Sequence, residues 1–274
     1  MTLLQGIDVS KWQGAIDWAV LKETNDISFA IIRVGVGTSR DKFFSTNMNR
    51  ATSVGIHCGV FVYSTATTPE GAQKEAEFVL KSIKNFDVKY PVYYNIEDSR
   101  HLKLSTKERT ALIQAFCDKI NAANYIPGIY ASADWYNTKL DLNQLKKYEK
   151  WVAHWGVSSP NYDGAYGMWQ YSSSGKVNGI QGNVDLNYCY VDYLSYPQNF
   201  KAGTKITLKN TPLYTSSIRK EPASYLNGTY YIYDGIIMNN RFRITSLKKN
   251  VKASPVSQKV AGYVRLKDLL SMVY

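Results

Sequence analysis

Cysteine and histidine are scarce in this chain of 274 residues, with three of each. Cys58, Cys117 and Cys189 are odd in number, widely spaced and form no CxxC, so neither a disulfide framework nor a zinc site is supported. His57, His101 and His154 are equally scattered and read as structural or surface residues. No metal and no cofactor are expected. No stretch approaches 18 consecutive apolar residues, so no membrane insertion is expected. Met1 runs almost directly into the apolar Leu3–Val9 stretch, with no basic n-region and no cleavable h-region, so the expectation is a protein without a signal peptide.

Acidic residues are nearly missing from the last third. Of the 33 Lys/Arg and 22 Asp/Glu, 13 and 3 lie in residues 197–274, which leaves 20 and 19 for residues 1–196. The net charge of +11 therefore divides into about +1 and about +10. A near-neutral front and a basic tail point to two modules with different partners. The basic one suits an anionic polymer: nucleic acid, an anionic membrane, or a wall polymer carrying phosphates. The tail has no helix-turn-helix, zinc-finger or RNP-like sequence, so no nucleic-acid partner is expected.

Tyrosine is abundant instead, at 22, with 6 Trp. Such rings pack cores or offer flat faces on which sugars stack. The chain is organised around Pro91-Val92-Tyr93-Tyr94-Asn95-Ile96-Glu97-Asp98. It reads as a buried strand in which Pro91 starts the run and Asn95 and Glu97 share a face. Further strands are expected at Gly6–Val9, Phe29–Val34, Cys58–Tyr63, Ile126–Tyr130, Trp151–Ala153 and Gly167–Tyr171. Helices are expected at about 15–23, 45–54, 69–84, 105–123 and 141–148. Thr68 with Pro69, and Ser105 with Glu108, are helix-start signals. Strands alternating with helices indicate an α/β fold, an irregular (β/α) barrel. Asp8, Tyr63, Glu97, Tyr130 and Gln170 all fall at strand ends, where parallel strands would bring them to one rim.

Asp185, between Val184 and Leu186, faces away from both on a short strand; alone it reads as a turn-side acid. Residues 195–202 read as a linker. Residues 203–274 read as a small all-β barrel of about five strands, with Lys205–Leu208, Thr229–Tyr233 after an Asn227-Gly228 turn, Arg241–Thr245 after Asn239-Asn240, Val260–Leu266, and a closing turn at Lys267–Met272.

Gly6-Ile7-Asp8-Val9-Ser10 near Trp12-Gln13-Gly14, the strand ending in Glu97, and Trp169-Gln170-Tyr171 leading to Val184-Asp185-Leu186-Asn187 together resemble glycoside hydrolase family 25, the Chalaropsis-type lysozymes, over about residues 3–194. The tail more loosely resembles bacterial SH3-like cell-wall-binding domains. The resemblance implies a catalytic domain at 1–194 and a wall-binding domain at 203–274, the layout of a phage endolysin acting on Gram-positive bacteria. It implies hydrolysis of the β-1,4 bond between N-acetylmuramic acid and N-acetylglucosamine in peptidoglycan. Glu97 matches the general acid, Asp8 and Asp185 match two further carboxylates, and Arg33, Tyr63, Tyr130 and Gln170 match groove positions. The implied partners are glycan strands and, for the tail, a wall polymer. The implied location is the host cytoplasm until holin-mediated release.

One position departs from the family pattern Asp-x-Glu, which here reads Asn95-Ile96-Glu97. An Asn cannot form the glycosyl ester of a carboxylate nucleophile, although it could accept a hydrogen bond from an acetamido N–H. Three explanations stand: a substitution that traps substrate, a natural variant of a substrate-assisted mechanism, or a wall-binding protein without catalysis.

Overall fold

The computed structural model describes residues 3–194, 200, 202–238, 241–265 and 268–269. The chain forms two compact units, Met1–Tyr193 and Leu194–Tyr274. No helix among the described residues is long and apolar enough to cross a membrane.

In the first unit, β1 (Leu4–Val9), β2 (Phe29–Val36), β4 (His57–Tyr63), β5 (Val88–Asn95), β6 (Pro127–Ser132), β7 (Glu149–Ala153) and β8 (Met168–Gly175) are parallel neighbours in that order. β3 (Ser39–Arg40) forms a short antiparallel flap on β2. β9 (Val184–Cys189) runs antiparallel to both β8 and β1, and β1 also pairs with β2, so eight strands close into a barrel. Helices α1 (Trp18–Thr24), α2 (Phe44–Ser53), α3 (Pro69–Ile83), α4 (Thr106–Ala122) and α5 (Ala133–Thr138) lie in the connections up to β7. No helix links β7, β8 and β9, which makes the barrel irregular. The Thr68 hydroxyl caps α3 and the Ser105–Glu108 capping box opens α4, as their sequences indicate.

The barrel interior is filled by aromatics. Phe29 stacks on Tyr90 at 4.8 Å, and the Trp151 ring meets Tyr130 at 4.5 Å, Tyr93 at 5.1 Å and Phe61 at 5.9 Å. Glycines on facing strands make room for these rings. A Cβ on Gly6 would lie 2.4 Å from the Phe29 ring, and one on Gly128 2.3 Å from Tyr93. Each glycine sits two residues before a polar rim residue, Asp8 or Tyr130, so it shares the inward face with it. Outside, the helices cover Ile32, Val60, Val62, Tyr94 and Ile129, all buried in the main core; Tyr94 stacks on Phe116 of α4 at 4.2 Å.

Several expectations are corrected. β5 starts at Val88, so Pro91 lies inside a central strand. The register between β4 and β5 slips there, from Cys58↔Val88 to Val60↔Val92, and this bulge accommodates a residue that cannot donate to the ladder. β5 also ends at Asn95, so Glu97 lies beyond the strand and the alternation of faces does not extend to it. The helix expected at 141–148 is a run of turns. The Asp141 carboxylate there accepts from the Asn143 N–H and the Gln144 side chain, local bonds that compete with a helix. The unforeseen α5 forms instead, capped by Ser132.

The second unit is an antiparallel sheet in the order β10 (Lys205–Leu213), β11 (Ser224–Met238), β12 (Arg241–Thr245) and β13 (Gly262–Arg265). Tyr214, just past β10, pairs with Tyr263 of β13, so the sheet curls back on itself. Four strands, not five, are present among the described residues. Asn227-Gly228 is not a turn but lies within β11, opposite an irregularity in β10; Gly228 has φ +104° and the Asn227 side chain accepts from the Asn210 N–H. Asn239-Asn240, most of the 195–202 segment and most of 267–272 lie outside the described residues.

Gly128→Ala drives a methyl group into Tyr93, which Trp151 prevents from retreating. It should destabilise the first unit by about 1–3 kcal/mol. All six tryptophans lie in that unit. Denaturant titration followed by intrinsic tryptophan fluorescence therefore reads it selectively, and an unchanged midpoint would contradict the packing described.

Candidate active site

The strand ends converge as the sequence suggests. Asp8, Arg33, Tyr63, Asn95, Tyr130, Gln170 and Asp185 all line one cavity of about 190 Å³ at the rim of the barrel. Glu97 is the exception. It does not line this cavity but sits two residues past Asn95, beyond the end of β5, beside Ser132 at the end of β6.

At the centre is a pair of carboxyls. β1 and β9 run antiparallel with Asp8 directly opposite Asp185, and the two side chains hydrogen-bond each other. Burial pushes both pKa values up, and the charge of Asp185 pushes Asp8 further. Two adjacent carboxylates cannot both ionise cheaply, so the pair retains a proton to a higher pH than an isolated aspartate, with the larger push on Asp8. The amides around Asp8 limit the rise, because donors to a carboxylate favour its charged form. One Asp8 oxygen accepts from Gln170 Nε2 and Asn187 Nδ2, each at 2.8 Å. Both amides are oriented from behind: Trp151 Nε1 donates to Asn187 Oδ1 at 2.7 Å, while Tyr130 Oη and Trp155 Nε1 donate to Gln170 Oε1 at 2.8 and 2.9 Å. An indole N–H can only donate, so neither amide can turn round.

Glu97 is half-buried. Its Oε1 accepts from Ser132 N at 3.0 Å and Ser132 Oγ at 2.7 Å. Burial raises its pKa, the Ser132 bonds oppose the rise, and Asp134 adds to it. The net effect is a carboxyl held protonated to a higher pH than an exposed one, with its second oxygen uncommitted among the described hydrogen bonds.

Asn95 Oδ1 accepts from the Glu97 backbone N–H at 3.2 Å. That donor requires an oxygen opposite it, so the side chain is oriented and its uncommitted end is the Nδ2 donor. One lone pair of the expected acceptor for an acetamido N–H is thus engaged, and the other end of the side chain is a donor where an Asp would carry a second acceptor oxygen. Arg33 is held by Asp41, which takes Nη2 at 2.7 Å and Nε at 2.9 Å and also binds the Lys11 N–H. Burial and the nearby Asp98 and Glu97 raise the Tyr63 pKa, which keeps it a neutral phenol.

Sequence reasoning missed Ser132, Asn187, Trp151, Trp155 and Asp41. Asn187 had a signal, because it stands two residues from Asp185 and so shares its face in a strand. Ser132 had a partial one, as a helix cap. The other three act through partners remote in sequence.

Because Asp8 is more readily protonated in the fold than in the unfolded chain, folding binds a proton between the ordinary aspartate pKa and the raised one. Stability contributed by this group is therefore present at low pH and lost as pH rises through that window. Asn mimics the protonated acid, accepting from Gln170 and Asn187 while donating to Asp185. Asp8→Asn should raise the neutral-pH unfolding midpoint of the first unit and flatten its pH dependence. A lower midpoint at neutral pH would refute the assigned proton.

The sequence model of Glycosyl hydrolases family 25 matches residues 7–180. Lysozyme M1 of Streptomyces globisporus is 32% identical over 197 residues, covering 67% of each chain. A lysozyme of Lactococcus phage mv1 is 30% identical over 192 residues, covering 65% of this chain and 93% of its own. Among solved structures, the modular autolysin LytC of Streptococcus pneumoniae in complex with a synthetic peptidoglycan ligand superposes with a TM-score of 0.61 at 28% identity, over 69% of this chain. The aligned part spans about half, 47%, of that autolysin. With the matched segment running through β1, the Glu97 region and β8, the chain belongs to glycosyl hydrolases family 25.

Proposed function

We propose that the first unit hydrolyses the β-1,4 bond between N-acetylmuramic acid and N-acetylglucosamine in peptidoglycan, with Glu97 as general acid and then general base. The observation that carries this reading is a half-buried Glu97, bound by Ser132 and raised in pKa by burial, just past the strand whose end lines the same cavity as the Asp8–Asp185 pair, in a family 25 barrel. Protonated Glu97 would give its proton to the leaving oxygen, and the charge on the pair would stabilise the positive ring that forms. Arg33, Tyr63, Tyr130 and Gln170 would bind sugar hydroxyl and acetamido groups. Asn95 supplies neither a nucleophile nor a negative charge, so any displacement at the anomeric carbon would fall to the substrate's own acetamido oxygen.

A second reading, a wall-binding protein with little or no turnover, is favoured by the donor that Asn95 presents to the cavity. The second unit would serve either reading as a wall-polymer-binding domain of SH3-like type. Two of its three acids, Asp234 and Asp268, are tied up by Arg243 and Arg265, and the exposed Lys205, Lys209, Arg219, Lys220, Lys248 and Lys249 would face a polyanion. Together the units would form a phage endolysin directed at Gram-positive walls, reaching them from the host cytoplasm after holin-mediated release.

Release of reducing ends from purified Gram-positive walls separates these readings. Asn95→Asp should raise the rate by about two to three orders of magnitude, the usual value of one such electrostatic contact. Adding Glu97→Gln should abolish it. Full activity in the Glu97→Gln chain would sink the assignment of the acid, and silence from both chains would favour the binding protein. In the active form, kcat/KM should fall at high pH as Glu97 loses its proton, on a limb displaced upward from the ordinary glutamate pKa because burial raises it. An alkaline limb at the ordinary glutamate position would contradict the burial argument.

A further inference from the structure

Glu75, in the middle of α3, is 3% exposed and lies outside the 190 Å³ cavity. Among the described residues no ion pair involves it. A buried carboxyl group without a cation needs hydrogen-bond donors, and Glu75 has five. Its Oε1 accepts from Thr65 N at 2.8 Å, Ala66 N at 3.1 Å and Thr65 Oγ1 at 3.4 Å. Its Oε2 accepts from Ser64 Oγ and Tyr94 Oη, each at 2.8 Å. All of these donors except Tyr94 belong to residues 64–66, which directly follow β4.

Residues 64–66 in turn carry both ends of the segment that contains Glu97. Before it, Ser64 N donates to Asn95 O at 3.0 Å. Beyond it, His101 Nε2 donates to Ala66 O at 2.9 Å and Arg100 Nη1 to Thr65 O at 3.4 Å. His101 is fully buried, so water does not compete for that joint. Asp98, inside the segment, hydrogen-bonds the Tyr63 phenol that lines the cavity. Ser132 holds the carboxyl group of Glu97, whereas residues 64–66 hold the chain on either side of it.

The anchor is specific to a carboxyl group. Glu75 Oε2, Ser64 Oγ and Tyr94 Oη lie 2.7–2.8 Å from one another, which makes three contacts. The two hydroxyls bring one proton each and a carboxyl group brings at most one, so no donor is left over. An amide nitrogen brings two, so one of four donors would be buried without an acceptor. Turning the amide round sets its nitrogen against the Thr65 and Ala66 N–H groups instead.

We propose that Glu75 is a positioning residue for Glu97: it holds the turn at residues 64–66 from which residues 95–101 hang, and so sets where the proton donor stands. Only the effect on turnover rests on the hydrolase reading above; the positioning itself is a property of the fold.

The test uses the full chain, isotope-labelled at the glutamate carboxyl carbons, with the Glu97 resonance identified by its loss in Glu97→Gln. In Glu75→Gln the Glu97 titration midpoint should fall toward the ordinary glutamate value, because a slackened segment loses the burial that raises it. Exchange of the Ser64 amide, which is bonded to Asn95 and not to Glu75, should quicken about tenfold, as expected for one buried donor left unpaired. Tyr94→Phe removes one bond to Glu75 and keeps the ring stacked on Phe116. It should move both readouts the same way by less, and it carries the test if Glu75→Gln does not fold. Asp17→Ala uncaps α1 on a different connection and should move neither. In the Asn95→Asp chain, Glu75→Gln should lower kcat about ten- to a hundredfold with little change in KM, the mark of a misplaced reacting group. If the Glu97 midpoint and Ser64 exchange stay put in the Glu75 and Tyr94 variants, or move as far in Asp17→Ala, Glu75 only stabilises the fold and the proposal is refuted. A rise in KM at constant kcat would also overturn it. If both readouts move as expected while no chain releases reducing ends, the hydrolase reading fails and the positioning role stands.

Discussion

Two carboxyls face each other across the seam that closes the barrel, and most of the first unit's inner structure serves that contact. β9 is the one barrel strand that runs backwards, and its pairing with β1 puts Asp185 directly opposite Asp8. Like charges directly opposite on a sheet are destabilising, so the pair survives by sharing a proton. Amide N–H groups aimed at Asp8 work against burial, because they favour its charged form. Those amides are aimed because Trp151, Trp155 and Tyr130 hold their oxygens. Trp151 is also the ring against which Phe61, Tyr93 and Tyr130 pack. Packing and electrostatics therefore share residues, and a change in the aromatic layer is also a change in the field at the site.

This sharing explains what could be read from the sequence. Strand ends were legible, since apolar runs stopping at Asp8, Tyr63, Tyr130 and Gln170 need only the period of a strand and the convergence of a parallel barrel. Helix starts at Thr68 and Ser105 were legible because capping is local. Ser132, Trp155 and Asp41 were not, because each acts on a residue between 8 and 35 positions away and no periodicity links them. The reach of the Asn95–Glu97 alternation was misjudged for a related reason. A strand lasts as long as its neighbours pair with it, and pairing beyond Asn95 ends where β6 turns into α5 and Ser132 is drawn to Glu97 instead.

Local signals also misled where tertiary contacts outweighed them. Asn227-Gly228 carries turn chemistry, but within β11 the positive φ of Gly228 serves an irregular stretch of ladder and the Asn227 side chain satisfies a backbone N–H on β10. Pro91 reads as a strand start, yet a bulge lets it sit mid-strand. At 141–148 the apolar spacing allows a helix. The carbonyls of Leu145 and Tyr148 instead accept from the buried Lys150 ammonium, whose pKa burial lowers to about 8. An ammonium in that position needs carbonyl partners, and this turn-rich stretch supplies them.

The Asn at position 95 acquires a physical meaning against this background. The rim already carries Asp8, Asp185 and Glu97, and a further carboxylate among them would raise the cost of every ionisation nearby. With Asn95 in place, the neutrality of Glu97 rests first on burial and only secondarily on the more distant Asp134. The site therefore retains what a proton donor needs and loses charge where a positive ring would form. The negative charge left for that ring lies on the Asp8–Asp185 pair, on which two amides that cannot turn are aimed. A site so arranged relieves repulsion in the resting protein at the expense of transition-state stabilisation, and that opposition is why a single side chain separates the hydrolytic reading from the binding one.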